Sequence, residues 1–173
     1  MIIDLTQIRE KDVSFDRIIP PTEIDLDDEE TRLVEPVEIK GNLRKGIAQV
    51  DVEGAIKAKI ETSCTRCFRK VETNLEFPFK ATFVTMEHYT KEAETELQQD
   101  DLDIAVFEGD KLDLREIARE QILLNIPTQI LCSAECKGLC EKCGADLNET
   151  DCGCAEKEID PRWQGLRDLQ NKN

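Results

Sequence analysis

Cysteine is the residue type in this chain with the most chemistry to offer. There are eight, and six fall within the 23 residues from position 132 to 154, as Cys132-Ser-Ala-Glu-Cys136-Lys-Gly-Leu-Cys140-Glu-Lys-Cys143 and then Cys152-Gly-Cys154. The other two stand upstream as Cys64-Thr-Arg-Cys67. Eight thiolates suffice for two tetrahedral metal sites. Cys140 and Cys143, separated by two residues and followed by Gly144, can fold back on one ion while backbone N–H groups point at the sulfurs. With Cys152 and Cys154 they make the most economical local site. Cys132 and Cys136 are then left to complete a second, long-range site with Cys64 and Cys67. Spacing leaves other divisions open, since only three residues separate Cys136 from Cys140.

The compartment decides what the thiols do. Residues 1–10 have no basic start, no apolar run of signal-peptide length and no small-residue cleavage site, and nothing later approaches the roughly 20 apolar residues of a membrane span. A cytoplasmic, non-membrane protein is expected. There thiols stay reduced and Cys-x-x-Cys pairs mean metal or redox chemistry more often than disulfides. Structural Zn2+, two per chain, is the reading. An iron–sulfur or redox role is the alternative, in which Cys64 and Cys67 serve a thiol redox or metal-handling protein. Catalytic zinc needs an open coordination position and usually histidine or carboxylate ligands. The chain has one histidine, His88, no His-Glu-x-x-His motif and no phosphate-cradling glycine loop, so no enzyme is expected.

The elements that must position these thiols read as α+β: an antiparallel sheet or partial barrel with one or two packed helices and a C-terminal cysteine-rich zinc-binding module. The expected division is a mainly β domain over residues 1–131 and a zinc module with a terminal helix over 132–173. Apolar and polar residues alternate from Ala48 to Thr62 with Gly54 marking a bend or bulge, and again with opposite parity through Val71, Thr73, Leu75, Phe77 and Phe79. Cys64 and Cys67 therefore sit at the turn between two long strands. Residues 37–43 read as a hairpin partner before the first, and residues 2–5 and 13–19 as strands at the sheet's N-terminal edge. A strand at 103–107 and a turn at 108–110 precede a helix near 114–126. Asp113 is its N-cap, with Glu116 closing the box, and Leu114, Ile117, Ala118, Ile122 and Leu124 form its apolar face. Asp160 and Pro161 open a terminal helix carrying Trp163, Leu166 and Leu169.

Net charge is minus 15 but unevenly spread. Residues 23–38 and 87–103 hold fifteen acids against two bases, which is minus 13. Such runs read as solvated loops, or as docking surfaces for a basic partner. Phosphate binding needs clustered bases. The candidates for RNA contact are Arg66, Arg69 and Lys70, with Lys40, Arg44, Lys45, Lys137 and Lys142 near other strand tips and knuckles.

With Cys64-Thr-Arg-Cys67 ending an alternating strand, Arg115-Glu-Ile-Ala-Arg-Glu-Gln-Ile-Leu-Leu-Asn-Ile-Pro127 leading into Cys132, and Cys136-Lys-Gly-Leu-Cys140-Glu-Lys-Cys143-Gly-Ala-Asp-Leu-Asn148 followed by Cys152-Gly-Cys154 and Asp160-Pro-Arg162, the chain resembles the YceD family over roughly residues 43–169. These are bacterial and plastid proteins described as large ribosomal RNA subunit accumulation proteins. The resemblance implies a non-enzymatic role in building the large ribosomal subunit through its large rRNA, with metal as a staple. The implied partner is the precursor large subunit, reached through rRNA or a basic ribosomal protein.

Overall fold

A computed structural model of the 173-residue chain describes residues 1–6, 8, 12–46, 49–85, 104–107 and 111–154. The acidic run 87–103, His88, the turn 108–110 and the terminal helix at 160–169 lie outside the described residues. The chain divides into two compact units, Met1–Cys132 and Ser133–Asn173.

In the first unit, alternation builds the sheet. Strand β1 is Ile2–Asp4, β2 Asp12–Ile19, β3 Arg32–Leu33, β4 Val37–Lys45, β5 Gln49–Ser63, β6 Lys70–Thr85, β7 Ile104–Phe107 and β8 Lys111–Asp113; helix α1 is Leu114–Asn125. Six strands form the main sheet in the order β2-β4-β5-β6-β7, with β3 also paired to β5. The period-two pattern of β5 puts Val50, Val52, Ile56, Ala58 and Ile60 on the buried face. The antiparallel register with β6, Ala58 opposite Leu75 and Val50 opposite Phe83, brings the odd positions of β6 to the same side. Helix α1 covers that face, packing against β4, β5 and β6 through Leu114, Ile117, Ala118 and Ile122.

Several expectations are corrected. The sheet is mixed, because β7 runs parallel to β6. The connection from 86 to 103 has the length that a parallel crossover needs, whereas a tight hairpin would have enforced the antiparallel sense. Among the described residues β2 and β7 end the pairing order, so no barrel closes. Strand β1 leaves the main sheet and pairs with β8, placing Ile3 opposite Leu112; a three-residue strand carries no signal for a partner over 100 residues away. Gly54 makes no bulge. An extra residue would have reversed the parity of β5, yet Val52 and Ile56 face the same side and the register runs unbroken. Gly54 stands opposite Gly41, and the two backbones approach so closely that a Cβ on Gly54 would lie 2.2 Å from the Lys40 carbonyl oxygen.

At the helix, the Asp113 side chain accepts the Arg115 amide as an N-cap should. No hydrogen bond from Glu116 closes the box; Asp113 is held instead by the Arg115 guanidinium and the Met1 amino group. Leu124 is 77% exposed, so the apolar face is narrower than its sequence implied.

The eight acids of segment 23–38 are exposed, as a solvated run should be, but the segment is also anchored to the sheet. Ile24 and Leu26 are buried in the core, and Thr31 is buried against Thr62 with their hydroxyls 2.9 Å apart. Arg119 donates to the Asp25 carbonyl at 2.6 Å and to the Asp27 carboxylate. Lys59 bridges Glu35 and Glu72 at 2.9 Å each, and Arg32 meets Glu61. Exposed pairs of this kind contribute about 0–1 kcal/mol each. Burying a Leu or Ile side chain contributes about 1.5–3 kcal/mol, so Ile24 and Leu26 fix the segment and its acids follow.

Among the described residues no helix is long and apolar enough to cross a membrane.

Candidate metal centres

The β5–β6 hairpin ends in a knuckle because the tip residues make two closing hydrogen bonds. The Phe68 amide donates to the Cys64 carbonyl at 2.9 Å, and the Cys64 amide to the Arg69 carbonyl at 2.8 Å. The chain can close so tightly only if the residue after the second cysteine turns left-handed, and Phe68 has φ 58°. Beside the knuckle, the Thr65 amide and hydroxyl both donate to the carbonyl of Ile130, at 2.8 and 3.1 Å. Ile130 is itself anchored in the core, so the segment after Pro127 is clamped to the tip. Cys132 is thereby delivered to the knuckle, its sulfur 3.6 Å from that of Cys67. Cys136 supplies a fourth sulfur, and the four donors of Cys64, Cys67, Cys132 and Cys136 lie within 4.8 Å of one another.

The second unit repeats the device. The Gly144 amide donates to the Cys140 carbonyl and the Cys140 amide to the Ala145 carbonyl, both at 2.8 Å, with Gly144 at φ 74°. Cys140, Cys143, Cys152 and Cys154 form the second group of four within 4.8 Å. Of the divisions that spacing left open, the structure gathers the thiols into the local set and the long-range set, with Cys136 and Cys140 apart. Asn148, which the sequence reading passed over, supports the first group: its side-chain amide donates to the Cys136 sulfur at 3.5 Å while its oxygen accepts the Lys137 amide. The signal available in the sequence was only an asparagine near a knuckle.

The donor sets fit a tetrahedral dication. Four sulfurs at the usual zinc–thiolate distance are about 3.8 Å apart, close to the 3.6 Å between Cys67 and Cys132 and well beyond disulfide length. None of the eight cysteines is in a disulfide. Electrostatics point the same way. Burial pushes the Cys64 thiol up, but the backbone amides of Arg66, Cys67 and Cys132 aimed at its sulfur prevail and bring it down to about 6. The Cys143 and Lys142 amides likewise bring Cys140 to about 6. Cys154 goes the other way, pushed up to about 12 by hydrogen bonding with Cys143 and Cys152 and by repulsion from their sulfurs. Each knuckle thus readies one thiolate through backbone N–H groups, while crowding in the second set makes the last proton hard to remove without a cation to take its place.

Arg66, Arg69 and Lys70 are exposed at the first knuckle. Lys70 is engaged by the Glu30 carboxylate at 3.4 Å and its carbonyl at 3.1 Å. Arg44 pairs with Asp12, and Lys45 donates to the Leu5 carbonyl. These two lie at the opposite end of β5 from the knuckle, about 45 Å away along a 15-residue strand, so they form no common patch with Arg66 and Arg69. Lys137 and Lys142 belong to the second unit.

The chain is similar to proteins across bacteria and plastids. It is 29% identical over 172 residues to the uncharacterized protein YlbN of Bacillus subtilis, covering 97% of this chain and 94% of that protein. It is 26% identical over 118 residues to an uncharacterized protein of Mycobacterium tuberculosis, covering 68% of this chain and 54% of that one. The chloroplastic large ribosomal RNA subunit accumulation protein YCED homolog 1 of Arabidopsis thaliana is 34% identical over 62 residues, which is 36% of this chain but only 19% of the plant protein. No solved structure matches. A family model described as large ribosomal RNA subunit accumulation protein YceD matches residues 52–170, which include both knuckles and all eight cysteines, and the chain therefore belongs to the YceD family.

Proposed function

We propose that this chain is a non-enzymatic factor in large ribosomal subunit biogenesis, supporting accumulation or processing of the large-subunit rRNA in the cytoplasm, with one structural Zn2+ in each cysteine group. The observation that carries the metal is the pair of knuckles with matching backbone hydrogen bonds, each part of a set of four sulfurs within 4.8 Å. What supports the ribosomal role is membership of a family described by that effect. Among the described residues neither cysteine set includes a histidine or carboxylate, and four thiolates fill a tetrahedral ion with no position left for substrate.

The rival redox reading uses Cys64 and Cys67 as a cycling pair. A reactive thiolate must be reached by its partner, and Cys64 is 0% and Cys67 7% exposed. The lowered Cys64 thiol serves a metal as readily as a nucleophile, and burial favours the metal.

Partner contact is proposed through precursor large-subunit particles, by way of rRNA or a basic ribosomal protein. Four of the eight acids of residues 23–38, Glu23, Asp27, Glu30 and Glu35, pair with the chain's own bases, which leaves less of that segment's charge for a docking surface. Depleting the chain and measuring the ratio of large- to small-subunit rRNA tests the role. A falling ratio with accumulating precursor is expected; an unchanged ratio refutes it.

A further inference from the structure

The two knuckles share one backbone and differ in one telling side chain. In each, the amide of the residue after the second cysteine donates to the carbonyl of the first, and the next residue's carbonyl closes the loop. That residue is left-handed in both, φ 74° at Gly144 and φ 58° at Phe68. Glycine adopts this conformation freely, whereas a bulky aromatic rarely does. Phe68 does not recover the cost by packing, since it is 67% exposed, the one aromatic among the large exposed hydrophobics of the described residues. An aromatic held where glycine would serve, and pointed at solvent, is strain without a folding benefit. Such strain gathers at binding sites.

The surroundings name the ligand. Residues 64–70 carry three bases and no acid in a chain of net charge minus 15. Arg66 and Arg69 are both exposed on either side of Phe68. A lone exposed ring in a stretch that also carries two exposed arginines suits a ligand that alternates flat aromatic faces with negative charge, which is single-stranded nucleic acid. The nearby carboxylate of Glu30 is occupied by Ser63 and Lys70. At physiological salt, charges beyond about 8 Å are largely screened.

We propose that the knuckle tip is a stacking site for an unpaired nucleobase, with the Phe68 ring against the base and Arg66 and Arg69 against the flanking phosphates. This deepens the ribosomal reading and rests on it for the identity of the RNA. The test uses the zinc-loaded full chain and an oligouridylate of about ten nucleotides as probe. Phe68→Gly keeps the knuckle, as Gly144 shows, and is expected to weaken binding about 5- to 150-fold, while Phe68→Tyr retains it. In a Trp163→Phe background, Phe68→Trp should have its emission quenched on saturation, a readout that a merely structural role would not move. Equal binding by Phe68→Gly, unquenched emission, or no binding by the parent chain each overturns the proposal. Sedimentation separates the two readings. A chain that stacks the probe through residue 68 but does not travel with precursor large-subunit particles refutes the ribosomal role and leaves the site standing. One that travels with particles but fails the probe tests refutes the site alone.

Discussion

Replacing Cys67 with serine should cost more stability than replacing Cys143, although each removes one sulfur from a set of four. The difference lies in the loop each set closes. Cys67 and Cys132 are 65 positions apart, and pinning them through a common ion would remove about 4 kcal/mol of chain entropy from the unfolded state, by the relation that holds for cross-links. Cys143 and Cys152 close only nine positions, worth about 2.7 kcal/mol on the same relation. The first loop also spans β6, β7 and α1, so its loss is felt by the sheet and its covering helix. If serine abolishes binding at its own site, the first unit's melting temperature should fall by about 10–15 °C. Cys143→Ser should leave that transition in place and lower the zinc content by one ion. Thermal unfolding followed by circular dichroism, with zinc measured on the same samples, separates the two. If Cys67→Ser melts with the parent, or if either variant loses both ions, the division of the thiols and the entropy argument are both refuted.

Other expectations follow from single contacts. Gly54→Ala would place a Cβ 2.2 Å from the Lys40 carbonyl oxygen and should cost more than about 3 kcal/mol by urea unfolding, since backbone cannot yield there. Thr31→Val should cost about 1–2 kcal/mol by leaving the buried Thr62 hydroxyl without its partner, and adding Thr62→Val should restore most of it. The Arg115 guanidinium, helped by the Arg115 amide and the Met1 amino group, holds the Asp113 carboxyl well below the usual carboxylate range. A depressed folded-state value gives stability that is present above the unfolded value near about pH 4 and is lost as pH falls below it. Asp113→Asn keeps a capping oxygen but no charge, so it should cost about 1 kcal/mol in urea midpoint experiments at pH 7 and progressively less below pH 4.

Local periodicity made the centre of this fold legible. The alternation of β4, β5 and β6, the turn carrying Cys64 and Cys67, and the Asp113 cap all lie within short windows, where pleat and helix period speak directly. What failed to show depends on distant or backbone geometry. The pairing of β1 with β8 and the parallel sense of β7 are settled by partners far along the chain. The acids of residues 23–38 read as solvated and are exposed, but the burial of Ile24, Leu26 and Thr31 among them did not show. Gly54 was visible as an interruption, but only the facing Gly41 shows that two backbones touch there. At the candidate metal sites, Cys-x-x-Cys spacing points to knuckles, and glycine after the second cysteine explains the turn at Gly144. Phe68 breaks that rule at the matching place, which becomes informative once both φ angles are known.

The claim that matters most is that this chain acts on the large ribosomal subunit. Its most direct test is to crosslink the tagged chain in growing cells, recover it under denaturing conditions and sequence the attached RNA. Enrichment of large-subunit rRNA over small-subunit rRNA, reduced in Phe68→Gly, is the predicted result. Recovery of both rRNAs at the background ratio would contradict the account.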